Sequence, residues 1–71
     1  MKSKIEKQLE VLLKDFGYEL EGRTLIDKGI PGHISPSIVG QFRSALDAVE
    51  HLIPILHDDN FHNRYNKIMP N

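Results

Sequence analysis

The sequence contains no cysteine and no tryptophan. Without thiols there is no disulfide and no thiolate metal site, two devices by which small domains compensate for a small core. Long apolar runs are missing as well. The longest is Leu52, Ile53, Pro54, Ile55 and Leu56 with the proline counted, and Val11, Leu12 and Leu13 without it, whereas a spanning helix needs about 20 residues. Neither sign of charge dominates: nine Lys/Arg stand against ten Asp/Glu, a formal net charge of −1. Such a balance gives no basic footprint for phosphate neutralisation, which disfavours nucleic acid and anionic membranes as partners. The first residues are basic, but no signal-like apolar region follows them. The expected compartment is the cytoplasm, with no membrane association.

What is present fits a single domain over residues 1–71. A chain of this length buries roughly 60% of the surface exposed by its unfolded state, close to the margin of independent stability. With disulfides excluded, self-association is the remaining common remedy.

Ser3, Lys4, Ile5 and Glu6 match a capping box, in which a hydroxyl serves one orphan amide and a carboxylate three residues on reaches back. Ile5, Leu9, Leu12, Leu13 and Phe16 then recur on one helical face. Gly17 follows where a helix places its left-handed terminal residue. This spacing predicts a first helix over residues 4–16. Beyond it, Tyr18, Glu19 and Leu20 alternate, Glu21 and Gly22 suit a turn, and residues 23–26 suit a returning strand, so either a short β-hairpin over 18–26 or an extended arm is read here. Asp27, Gly29, Pro31, Gly32 and Ser35 mark a loop.

A second helix is predicted over residues 36–57. Ser35 suits its N-cap and Pro36 its first position, where a missing N–H leaves nothing unpaired. Ile38, Phe42, Ala45, Leu46, Val49, Leu52, Ile53 and Leu56 mark one face. Pro54 removes a hydrogen bond and clashes with the preceding turn, so a kink or break is expected there. The remaining residues, 58–71, include four Asn and are read as an aperiodic tail.

Four groups of residues invite a chemical reading. His57, Asp58, Asp59 and His62 supply the ligand types of a zinc or iron centre. Their histidines are five residues apart, however, not at the i,i+4 spacing of a helical metal pair, and no metal or cofactor is expected. Ser44, Asp47 and His51 supply the groups of a catalytic triad. Ser44 and His51 are separated along a helix by about 10 Å, so only the i,i+4 pair Asp47 and His51 remains, and no enzyme is expected. The loop over 29–37, with Lys28, His33, Ser35 and Ser37, could hold a small anion or nucleotide at a helix N-terminus. Gly40, Ser44 and Ala48 form a small-residue row, which suits close approach by another backbone or a flat ligand.

The fold class read from these patterns is mainly α: two amphipathic helices joined by a loop with a short hairpin. Their stripes occupy a, d and e positions, wide enough to face two helices rather than one. Two copies would satisfy both in a four-helix arrangement, with Phe42, Leu46, Val49, Ile53, Leu9 and Leu13 in the shared interface. The leading functional expectation is a small regulatory or accessory module that docks on itself, as a homodimer, and on another protein. Anion or nucleotide binding at the 29–37 loop comes second, and a metal-dependent enzyme using His57 and His62 third.

Overall fold

The computed structural model describes residues 3–29 and 37–69. The order of elements is α1 (Lys4–Asp15), β1 (Tyr18–Glu21), β2 (Thr24–Asp27), β3 (Ser37–Gln41), α2 (Ala45–Leu56) and α3 (Asp59–Ile68). The three strands form one antiparallel sheet in the order β1-β2-β3. Helices on one face of an antiparallel sheet make an α+β fold. This overturns the mainly-α, four-helix reading.

α1 forms as its sequence predicts. The Ser3 hydroxyl accepts from the Glu6 N–H at 3.1 Å, and Leu9, Leu12 and Leu13 are fully buried. Gly17 follows the helix at φ +86°, a left-handed conformation that glycine adopts without strain. The hairpin also forms. Gly22 stands at φ +61° as the first of two turn residues, where type II′ turns favour glycine.

The largest departure lies at residues 37–41, which are a strand and not the first turns of a helix. Ile38 and Val39 are β-branched and suit a pleated edge, whereas Gly40 weakens a helix by about 1 kcal/mol relative to alanine. The strand pairs Leu25 with Gly40 and Ile26 with Ile38, leaving Val39 as the extra residue of a bulge. Gly40 has its flat neighbour within the chain. A Cβ at that position would meet the Phe42 ring at 3.6 Å, an aromatic cover over a strand glycine. The expected helical row of Gly40, Ser44 and Ala48 therefore does not exist.

α2 begins at Ala45, capped by the Ser44 hydroxyl, which accepts from the Asp47 N–H at 3.2 Å. Ser44 thus takes the capping role expected of Ser35, which lies outside the described residues with Pro36. The Asp47 carboxylate turns back to accept from the Arg43 N–H at 3.2 Å, and the His51 ring packs on Phe42 with centroids 5.0 Å apart. α2 continues past Pro54 to Leu56 and ends at His57, at φ +50°. Of the kink or break expected at Pro54, the break is absent, since α2 is continuous through it. Proline sits here in the last turn, where the helix soon ends in any case.

Residues read as an aperiodic tail form α3. Asp58 caps it, its carboxylate accepting from the N–H groups of Asn60 and Phe61 at 2.9 and 3.1 Å. Phe61, Tyr65 and Ile68 follow at helical spacing and pack on the core. That core comprises Leu9, Leu12, Leu13, Leu25, Ala45, Ala48, Val49, Leu52 and Phe61. It joins all three helices to β2.

Both tyrosines report this packing. Burial, and next the negative charge of Asp27, raise the Tyr18 phenol above its ordinary value of 10.0. Burial, a hydrogen bond donated to Glu50 at 3.1 Å and the Glu50 charge raise Tyr65. A raised folded-state value contributes stability that is complete below about pH 10 and is lost as pH rises through the folded value. Ultraviolet titration should therefore show two phenols ionising above 10, with stability falling in that range. A phenol ionising at or below 10 in the folded protein would contradict this packing.

Candidate functional site

Helices cover one face of the sheet. Leu20, Leu25 and Gly40 share that face in register, while Glu19, Ile26 and Ile38 share the other. The two edges of the sheet differ. β1 carries Glu19 and Glu21, and the Glu19 carboxylate accepts from the Lys28 ammonium at 2.7 Å. That hydrogen bond, with the attraction between the charges, holds Glu19 below its usual value and Lys28 above its own. β3, Ser-Ile-Val-Gly-Gln, has no charge and no proline, the residues by which proteins usually guard an edge. Ile38 is 73% exposed and Val39 37%.

A second surface lies between α1 and α3. Gln8, Val11, Arg64, Lys67 and Ile68 line a groove of about 280 Å³. Val11 projects from the polar side of α1, 53% exposed. Arg64 forms an ion pair with Asp15 at 2.9 Å at its border. Two further clefts are polar. One gathers Arg23, Gln41, Phe42, Arg43 and Asp47. The other gathers Ile53, Pro54, His57, Asp58, Asp59 and His62.

The structure distributes the sequence-predicted residues unevenly over these surfaces. Leu9, Leu13 and Val49 are fully buried within one chain, while Phe42, Leu46 and Ile53 are partly buried against the same core. The side chains assigned to a four-helix seam thus fill the protomer's own interior. Of the anion-loop residues, His33 and Ser35 lie outside the described residues, Lys28 is held by Glu19, and Ser37 opens β3. The helix start that would have supplied the dipole is at Ala45 instead. There the Ala45 N–H donates to the Glu6 carboxylate and the Asp47 N–H to Ser44.

His57 and His62 do share a cleft with Asp58 and Asp59. Asp58 is engaged in capping α3, and among the described residues no three His, Asp or Glu side chains converge as a metal-binding set. Ser44 and Asp47 are likewise engaged with backbone amides.

No family model, curated protein or solved structure matches this chain. Function must be argued from the surfaces themselves. Among the described residues, no helix is long and apolar enough to cross a membrane.

Sequence reasoning placed Ile38 on a helical core stripe and passed over Val11, Lys67 and Ile68. Val11 carried a signal: it is apolar and stands outside the stripe that the rest of α1 obeys. Lys67 and Ile68 required α3 to be recognised as a helix.

Proposed function

We propose that this chain is a protein-docking module of regulatory or accessory type that acts as a homodimer, pairing through β3. The observation that carries the reading is the exposed, uncharged edge strand with Ile38 73% open to solvent. Near a two-fold axis each side chain meets its own copy or a close neighbour, so a charged strand would repel itself. β1, with Glu19 and Glu21, is unsuited to such pairing. β3 brings only Ser37, Ile38, Val39, Gly40 and Gln41. Burial of Ile38 and Val39 adds apolar area to a core that is small for an independent domain. The bulge at Val39 breaks the regularity of the edge and opposes open-ended strand addition, while a two-fold pair closes after one copy.

Binding is favoured over catalysis because the hydroxyl and carboxylates nearest to a catalytic grouping serve as helix caps. Anion binding at residues 29–37 loses support for a related reason. Lys28 is already paired, and at the start of α2 the Ala45 and Asp47 amides already have acceptors.

Sedimentation or light scattering at micromolar concentration should give twice the chain mass of 8.1 kDa. Ile38→Lys places a charge at the axis and should yield a monomer with an unchanged circular dichroism spectrum, since the side chain is exposed in a single chain. A wild-type species of one chain mass, or an Ile38→Lys dimer as tight as wild type, would overturn the proposal.

A further inference from the structure

The geometry points to the α1–α3 groove as the seat of an acidic amphipathic helix from a partner protein. This inference rests on the docking reading above, but not on self-pairing through β3. Three observations converge on it.

The first is charge segregation. Lys4, Lys7, Val11 and Lys14 recur at helical spacing on the exposed side of α1, with Gln8 and Asp15 beside them. Arg64 and Lys67 of α3 border the same groove. Taken with Glu10 on its far flank and Asp15, this side holds five of the eight Lys/Arg and two of the ten Asp/Glu among the described residues, leaving three basic and eight acidic ones elsewhere. A chain of net charge −1 thus carries a basic side. Arg64 is paired with Asp15, whereas Lys67 forms no ion pair among the described residues.

The second is the floor. Val11 is 53% exposed and Ile68 half-buried, so one or two apolar side chains of a partner would find apolar contact between the cations. This is the arrangement of a helix laid in a groove, with spaced apolar anchors and a charged rim that fixes orientation. The third is the shape, which separates a polypeptide from a lipid surface. Interfacial helices present a broad apolar face to a bilayer, but the broad apolar face of α1, with Leu9, Leu12 and Leu13, is buried. What remains exposed there is Val11 and part of Ile68, bordered by Gln8, Arg64 and Lys67.

The test uses the full chain and a synthetic helical peptide of about twenty residues, with Leu at helical spacing and Glu on its other faces. Backbone amide shifts are followed by NMR. Saturable shifts centred on Gln8, Val11, Arg64, Lys67 and Ile68 are expected, and the same peptide with Lys in place of Glu should produce none. The exposed reversal Lys7→Glu with Lys67→Glu should weaken binding about tenfold, as two surface ion pairs would, while thermal unfolding stays unchanged. No shifts at millimolar peptide, equal binding of the Lys peptide, or shifts confined to β3 would each overturn the inference. So would stronger binding to vesicles of mixed neutral and anionic phospholipid than to the peptide. Repeating the titration on Ile38→Lys separates the two proposals. Retained peptide binding by a monomer leaves the groove standing, whatever the state of β3.

Discussion

Phe61→Ala should bring the domain to the edge of unfolding at 25 °C. The ring is fully buried and meets Phe16 edge-on, with centroids 5.0 Å apart and planes at 83°. Removing a buried phenylalanine costs about 3–5 kcal/mol, of which the aromatic pair accounts for roughly 0.5–1.5. Whole-domain stability runs at about 0.05–0.15 kcal/mol per residue, so a chain of 71 residues has on the order of 4–10 kcal/mol to lose. Urea unfolding followed by circular dichroism should show the midpoint collapse. Phe16→Leu, at the half-buried partner, should cost clearly less. A Phe61→Ala loss below about 1.5 kcal/mol would mean that α3 is not part of the core. The consequence reaches the surface, because Phe61 fixes α3 against α1 and so places Arg64, Lys67 and Ile68 along the groove. A variant that weakens this contact without global unfolding should lose the peptide-induced shifts before it loses the sheet.

α1 was legible because local signals agreed there: a capping serine, a five-residue apolar stripe and a glycine stop. The hairpin was legible for a related reason, since alternation and a glycine at the turn point the same way. The strand at 37–41 was not. The apolar residues Ile38, Phe42, Ala45, Leu46 and Val49 fit a helical period, and periodicity alone cannot tell a helix from a strand followed by a helix. The opposing evidence was the composition of the first part, with two β-branched residues and a glycine. The helix start that displaced Ser35 was also written locally, since Ser44 and Asp47 stand at the first and fourth positions of a capping pattern. Reading those residues as fragments of a triad concealed their structural role. α3 was hidden by its asparagines, although Asp58 is a good cap and Phe61, Tyr65 and Ile68 keep a helical period.

The surfaces were less legible than the fold, because exposure is a property of tertiary arrangement. Ile38 is nearly as apolar as any core residue, and only its place on the outer face of an edge strand leaves it in solvent. The basic side of the molecule likewise arises from two helices that are remote in sequence. Lys4, Lys7 and Lys14 are dispersed among acidic residues in the chain, and they join Arg64 and Lys67 only when α3 packs on α1. Overall charge balance concealed this segregation.

The same packing explains a contact that no local pattern foretold, and it yields the second large expected effect. Glu6→Ala should destabilise the fold by about 1–3 kcal/mol. A capping box would turn the Glu6 carboxylate back on its own helix start, yet it accepts instead from the Ala45 N–H, 39 positions along the chain. There it serves one of the orphan amides of α2 and places a negative charge at the positive end of that helix. Hydrogen bonds to a charged acceptor are stronger than neutral ones, and this one is partly buried. Alanine is the better helix former, which offsets only a few tenths of a kcal/mol. Glu6→Gln keeps an acceptor without the charge, so it should cost less, on the order of 0.5–1 kcal/mol. For a domain of this size each kcal/mol corresponds to roughly 4–8 °C in Tm, so thermal melts resolve the three proteins. Amide exchange locates the effect: the Ala45 N–H should exchange faster in Glu6→Ala, whereas amides within β1 should change only with global stability. If Glu6→Ala melts within 2 °C of wild type, the carboxylate does not join α1 to α2 in solution, and the first helix is held by its apolar face alone.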